Sequence, residues 1–289
     1  MAGKQPIRSI GLVVRQDLPQ HAIALATELT QWIKARGLDP VSEPLTAPII
    51  GARQVEPAEL AHQSDLIVVL GGDGTLLGVA RMIGERETPV LGINLGGLGF
   101  LTEATTDEAR DVLGRVIAGD YEVDRRITLE AVVERNGGRG SKEHFRALND
   151  VVIIKRAFGR MLDLHVIADH TPFCRYRADG LIVATPTGST AYALSAGGPI
   201  IFPNLRVVVL APICPHTLSN RPVVLPDSFE LEMHVQSDHH GAMLTCDGQE
   251  TAHLDQTDLI RIHRGRHAVA LVRSAHPYFE IWRDKLRWG

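Results

Sequence analysis

The sequence predicts an α/β domain followed by an all-β domain, and three observations carry that reading. The first ~120 residues alternate short apolar runs with segments of helical period, as βαβ units do. After Gly119 the helical period stops, and short strand-like runs follow one another with turn residues between them. The chain has 289 residues, which at roughly 100–200 per domain is room for about two domains.

Each element has a local reason. Residues 9–15 (SIGLVVR) form a short apolar, strand-like run. Over 20–36, Ile23, Leu25, Ala26, Leu29, Trp32 and Ile33 recur mostly at i, i+3, i+4, so one helix is expected, stopped by Gly37. Residues 65–70 (DLIVVL) are continuously apolar, as in a strand buried on both faces. A helix is expected over 75–83, a strand over 89–93 (PVLGI), and a helix over 105–118 with a Thr/Asp start and Gly119 as its stop. Beyond it, 121–134 alternates, with Ile127, Leu129, Ala131 and Val133 on one face, and Asn136-Gly137-Gly138 marks a turn. Strands are expected over 151–155, 163–168, 181–184, 206–210, 229–235, 242–246, 259–263 and 267–273, the pattern of a sandwich or another all-β domain. The boundary falls near 119–124, giving domains at 1–122 and 123–274. The amphipathic tail, 275–289, is expected to pack back on the first.

Composition narrows the function classes. Hydrophobic residues are 44% and charged residues 22%, an ordinary globular mixture. With 30 Lys+Arg against 34 Asp+Glu, a net charge of −4 and 5% aromatics, the chain is poorly suited to gripping nucleic-acid backbone or stacking bases. Cys174, Cys214 and Cys246 are odd in number and far apart, which argues against a disulfide scaffold or a cysteine zinc site and fits a reducing compartment. No apolar stretch approaches the roughly 20 residues of a membrane helix, and the run at 10–14 is too short for a signal segment, so no membrane and a cytoplasmic location are expected. The 13 histidines show no metal-ligand spacing, and His239-His240 and the His263/His267 pair read as surface residues.

The sharpest local feature is Gly71-Gly72-Asp73-Gly74-Thr75, between the buried strand and a helix. Glycines there let the backbone approach a ligand, and free N–H groups at the helix start suit phosphate. A carboxylate repels phosphate, but it makes sense facing a hydroxyl whose proton it accepts. A structural turn in which Asp73 caps the helix fits the same residues. A second glycine cluster, from Gly92 to Gly99, leaves the next strand and so adjoins the same crevice. There is no G-x-x-x-x-G-K-[ST] and no G-x-G-x-x-G after the first strand, so phosphate transfer here would proceed without a Walker lysine.

In the β part, Asn149-Asp150 offers donors and acceptors that fit ribose hydroxyls, or simply starts a strand. Thr185-Pro186-Thr187-Gly188-Ser189-Thr190-Ala191-Tyr192 suits a nucleobase with its sugar, or is a loop of Ser/Thr turns. Asp247-Gly248-Gln249 reads first as a hairpin turn. Arg160, Arg175, Arg177 and Asp179 are explained equally well as surface charge pairs.

Taken in order from about Val68 to Gln249, these residues resemble one family, the NAD kinases. The resemblance rests on GGDGT at 71–75, Gly92-Ile93-Asn94, LGFL at 98–101, Asn149-Asp150, TPTGSTAY at 185–192, PHTLSNRP at 215–222 and Asp247-Gly248-Gln249. GGDGT alone also occurs in diacylglycerol-type lipid kinases; the combination is far more specific. The resemblance implies a Rossmann-like N-terminal α/β domain and a C-terminal β-sandwich. It implies phosphorylation of the adenosine-ribose 2′-hydroxyl of NAD by ATP or polyphosphate, giving NADP. It further implies a divalent metal, Mg or Mn, riding on the donor with no protein ligand, and a homodimer or homotetramer whose site draws on a neighbouring subunit. By position, Asp73 resembles the family's proton acceptor, with Gly74 beside it, and Asn149 and Asp150 its ribose-binding pair. Thr190, Ala191, Tyr192, Ala193, Leu194 and Ser195 resemble the adenosine-side loop, and Arg160, Arg177, Asp179 and Gln249 further NAD contacts. Asp150 stands where many members have Glu, one methylene longer. Two other readings stay open: a kinase on the same framework for a lipid or sugar hydroxyl, and a non-catalytic dinucleotide sensor.

Overall fold

The computed structural model describes residues 6–97, 99–156, 161–217, 219–236, 241–273 and 276–288. Arg160 and His239-His240 lie outside them. The chain divides into two compact units, Met1–Arg125 with Val269–Gly289, and Arg126–Ala268.

The first unit runs β1 (Ser9–Val14), α1 (Gln20–Lys34), β2 (Asp39–Ser42), α2 (Ala47–Ile50), β3 (Arg53–Gln54), α3 (Pro57–Leu60), β4 (Leu66–Leu70), α4 (Asp73–Met82), β5 (Val90–Asn94), β6 (Ala104–Thr105), α5 (Ala109–Ile117) and β7 (Glu122–Arg126). The second unit holds β8 (Leu129–Glu134), β9 (Lys142–Ala147), β10 (Asp150–Lys155), β11 (Leu162–Ala168), β12 (Thr171–Ala178), β13 (Gly180–Ala184), a 3-10 turn (Thr187–Thr190), α6 (Tyr192–Ser195), β14 (Val207–Ile213), β15 (Val223–Pro226), β16 (Leu231–Gln236), β17 (Ala242–Cys246), β18 (Glu250–Leu254) and β19 (Leu259–Arg264). The chain then returns to the first unit with β20 (Val269–Arg273) and α7 (Tyr278–Leu286).

The first sheet has the order β3-β2-β1-β4-β5-β20-β7, with β6 on β5. The pairs β1–β2, β2–β3, β1–β4, β4–β5, β5–β6 and β5–β20 are parallel. Every residue of β4 is fully buried, which accounts for its unbroken apolar run. On one face, Ala22, Ala26, Leu29 and Ile33 of α1 and Val112, Leu113 and Val116 of α5 pack with Ile10, Leu12, Leu66 and Val68. Burying each such large side chain contributes about 1.5–3 kcal/mol. Strand order grows outward from β1 in both directions, so the topology reverses between β1 and β4. At such a reversal an open parallel sheet has its ligand crevice, outside the carboxyl ends of the strands.

The second unit is a sandwich of two six-stranded antiparallel sheets, ordered β15-β14-β13-β10-β17-β18 and β12-β11-β16-β19-β8-β9. Val151, Ile153, Leu181 and Leu244 from one sheet meet Leu164, Met233, Ile260 and Ile262 from the other in a common core. Ala193 of α6 packs on the outer face of the first of these sheets, with Val152, Ile182 and Val209.

Several sequence expectations shift. The strand expected at 267–273 was grouped with the β part, but β20 pairs in parallel with β5, Leu271 opposite Val90. The alternating stretch 121–134 splits between units: β7 joins the first sheet and β8 the sandwich. Alternation reports a half-buried strand and says nothing of which sheet it enters. The helix expected from Thr105 begins at Ala109, because the Thr105 amide and hydroxyl both donate to Glu108 while Thr105 pairs in β6.

Candidate functional site

In the first unit, the exits of three neighbouring parallel strands lie in register. Arg15, just past β1, donates its amide to the Leu70 carbonyl of β4, and Gly71 donates to Ile93 of β5, both at 3.0 Å. Asp73 is the first residue of α4, yet no side chain caps that helix. The two carboxylate oxygens of Asp73 instead accept the amides of Phe100 and Leu101, at 3.0 and 3.1 Å. The capping alternative is therefore excluded: Asp73 is held across the crevice by the second glycine loop. That loop is closed on Thr102, fully buried, whose hydroxyl accepts from the Gly99 amide at 2.7 Å and the Asn94 side chain at 3.3 Å. A Cβ on Gly99 would stand 2.2 Å from an Asp73 oxygen, so only glycine permits this approach. A carboxylate has about four lone-pair sites, so the two amides leave Asp73 able to accept a further hydrogen bond. Gly74, beside it, is exposed.

In the second unit three of the singled-out segments meet at one end of a sheet. Asp150 opens β10 opposite Ala184, the last residue of β13, and Val151 lies opposite Cys246, the last of β17. The hairpin turn after β17 places Asp247 at φ 51 and Gly248 at φ 65, so the turn reading of these residues holds. It also does more. Asp247 accepts the amides of Leu148 at 2.8 Å, Asn149 at 2.7 Å and Asp150 at 3.1 Å, clamping the Asn149-Asp150 turn. The Asp150 side chain is buried, and its pKa is raised to about 7, chiefly by loss of water and then by the negative charge of Asp247. Near neutral pH such a carboxyl can either donate or accept a hydrogen bond.

The hydroxyls of the 185–190 loop turn inward. Thr185 donates to Leu148 and accepts from Gly188, Ser189 donates to Pro186, and Thr190 donates to Thr187. Thr187 accepts from the buried Arg126 guanidinium at 3.1 Å. The Ser/Thr-turn reading therefore describes their bonding: they are scaffold, and they press the loop against the Asn149-Asp150 turn. Gly188 abuts Asn149 so closely that a Cβ would fall 2.1 Å from the Asn149 carbonyl oxygen. What the loop exposes is Tyr192 and Ser195; Thr190, Ala191 and Leu194 are half-buried, and Ala193 is buried.

Not every expected contact joins this cluster. Gln249 does, in the Asp247 turn, where its amide donates to Cys246. Arg177 and Asp179 lie by the far end of β10: Lys155, its last residue, donates its amide to the Asp179 carbonyl, and its ammonium pairs with the Asp179 carboxylate at 2.6 Å. At about 3.3 Å per residue, that is roughly 17 Å along the strand from Asp150. Arg175 forms a surface pair with Asp163, as its bland reading expected.

Sequence reasoning passed over Asp247 as a clamp, Thr102 as a hub, and the amides of Phe100 and Leu101. An Asp-Gly pair at a strand end was the available signal for the first; main-chain donors leave none.

The chain matches the family model described as the ATP-NAD kinase N-terminal domain over residues 10–121, and that of the ATP-NAD kinase C-terminal domain over 148–274. Similar curated proteins include the NAD kinase of Geotalea daltonii, 46% identical over 93% of this chain and 95% of its own, and that of Geobacter sulfurreducens, 46% identical over 92% and 93%. Among solved structures, yeast NADH kinase complexed with NADH superposes with a TM-score of 0.91 at 26% identity, covering 99% of this chain and 89% of that one. An NAD kinase from Archaeoglobus fulgidus in complex with ATP gives 0.76 at 25% identity, covering 96% and 98%. With both halves of the chain matched and relatives this similar over nearly its whole length, the protein belongs to the NAD kinase family of phosphotransferases.

Proposed function

We propose that the protein transfers the terminal phosphoryl group of ATP or polyphosphate to the 2′-hydroxyl of the adenosine ribose of NAD, forming NADP. The observation that carries this is the Asp73 carboxylate, fixed by the Phe100 and Leu101 amides at the reversal of the parallel sheet and not used as a helix cap. The 2′-oxygen attacks the terminal phosphorus in line, the bond from phosphorus to the leaving phosphate breaks, and the hydroxyl proton passes to Asp73. The transition state is loose, so positioning and charge neutralisation matter most, and Asp73 chiefly orients the hydroxyl. Asn149 and Asp150, clamped by Asp247, would hold ribose hydroxyls, with Thr190 to Ser195 on the adenosine side and Gln249 nearby.

Among the described residues, the oxygens at the glycine turns are one carboxylate, that of Asp73, together with neutral hydroxyl, amide and main-chain groups. That set suits a divalent cation, Mg or Mn, arriving on the donor phosphates and keeping its waters, better than a protein cage. Bound so, the cation would neutralise charge developing on the phosphates. Asp179, with Arg177 near it in sequence, stands roughly 17 Å along β10 from Asp150, and a homodimer or homotetramer in which a neighbour supplies these contacts, with Arg160, is part of the proposal. Among the described residues no helix is long and apolar enough to cross a membrane, and a cytoplasmic location is part of the proposal.

The test is an assay for NADP formed from NAD with ATP, then polyphosphate, as donor, with diacylglycerol offered as an alternative acceptor. NADP formation that depends on donor and divalent metal is the expected result. NAD binding without turnover would replace the enzyme by a sensor.

A further inference from the structure

A chain of phosphates at the exits of β4 and β5 would bring several negative charges toward the Asp73 carboxylate, and neither glycine turn contains a lysine. The fold brings one from the other end of the chain. In α7, Ile281 is the buried residue, Tyr278 donates its hydroxyl to Asp124, and Arg273 lies over the Tyr278 ring at 4.3 Å, so the helix is anchored on the first unit. Lys285 follows Ile281 by four residues and so lies on the same side of the helix, one turn on. Its ammonium sits 3.8 Å from where a Cβ on Gly97 would stand. Gly97 is in the loop that begins at Asn94 and ends in the two amides that hold Asp73. Lys285 is exposed, and among the described residues it forms no ion pair. A long, flexible cation anchored beside an anion-accepting loop, with no carboxylate partner, is arranged to meet an anionic ligand.

We propose that Lys285 binds the phosphoryl donor, its ammonium engaging the donor's phosphate chain at the Gly96-Gly97 loop. This rests on the NAD kinase reading above and adds a cation to the donor side of that site. Ammonium–phosphate contacts are charge-assisted, and one such contact accounts for a tenfold change in affinity, about 1.4 kcal/mol.

The experiment is steady-state kinetics of the full-length protein with Lys285→Ala, Lys285→Gln and Lys285→Arg, varying ATP with Mg²⁺ and NAD separately, then repeating with inorganic polyphosphate. Ala and Gln should raise the donor KM about tenfold or more and leave the NAD KM within twofold, while Arg keeps most of the affinity. If ATP and polyphosphate suffer alike, the contact is to the shared phosphate chain. Thermal melting should be nearly unchanged; if the Ala variant melts early, the Gln variant, which keeps most of the aliphatic stem, carries the comparison. A donor KM within twofold of wild type in both variants, or an equal rise in the NAD KM, would overturn the proposal. Wild-type protein that forms no NADP with either donor would instead overturn the reading on which it rests.

Discussion

The two units set carboxylates on main-chain amides in different ways. In the first, one residue has both tasks: Asp73 is gripped by the amides of Phe100 and Leu101 and is also the group that the proposed function offers to the reaction. In the second the tasks are divided: Asp247 takes three amides, and Asp150 is what the clamped turn presents. The first arrangement leaves its acid half-buried, at the mouth of a strand exit; the second buries the presented acid beside another negative charge, which moves its pKa to near 7. The difference teaches that dividing the tasks lets the fold bury the presented acid beside a second carboxylate. Burial first, and then the like-charged neighbour, raise the pKa of Asp150.

The comparison breaks hardest at Asp73. Asp73→Asn keeps at most one of the two amide contacts and removes the proton acceptor, so kcat for NADP formation should fall about 10²–10⁴-fold with the fold intact by circular dichroism. Near-normal turnover would remove Asp73 from its role. Gly99→Ala tests whether position matters as much as charge, since the new methyl would stand 2.2 Å from the Asp73 oxygen. A loss of about tenfold in kcat is expected, largely absent when added to Asp73→Asn, because the two changes act on one group.

In the second unit the effects should fall on stability and binding. Asp247→Ala leaves three amides without their acceptor and should cost about 1–3 kcal/mol, seen as a lower melting temperature and a raised NAD KM. Asp247→Asn, which keeps an acceptor, should restore part of both. A further effect concerns pH. Asp150 has a folded pKa of about 7 against an ordinary 3.8, so the folded state prefers its protonated form. Its destabilising contribution is absent below about pH 4, grows as pH rises, and is complete above about pH 7. The stability of Asp150→Asn relative to wild type should therefore rise across that window in a pH series of chemical melts. A constant difference would show that Asp150 is not held near neutrality.

Much of the fold was legible in residues with a strong periodic or apolar signature, such as 20–36 and 65–70. Most of the strands without a clear sequence signal are edges: β3, β9, β12, β15 and β18 each border their sheet, four of them with polar or mixed sequences of weak period two and β15 (VVLP) only four residues long, while the interior β2 is short and opens on Asp39-Pro40. The site was legible as motifs, because glycines and acids at strand ends are local features. Its wiring was not: Asp73 reaches amides 27 and 28 residues away, and Asp247 reaches one 99 residues away.

From the sequence alone came the two-domain class, the strand exits rich in glycine, and the family, because each depends on residue types at short spacing. Only the tertiary structure decided which acid is gripped by which amides, that the hydroxyls of the 185–190 loop turn inward, and that the last helix brings Lys285 to a loop nearly 190 residues earlier. The physical reason is that main-chain donors look the same in every sequence, and a contact between distant segments is made by packing, which local pattern does not encode.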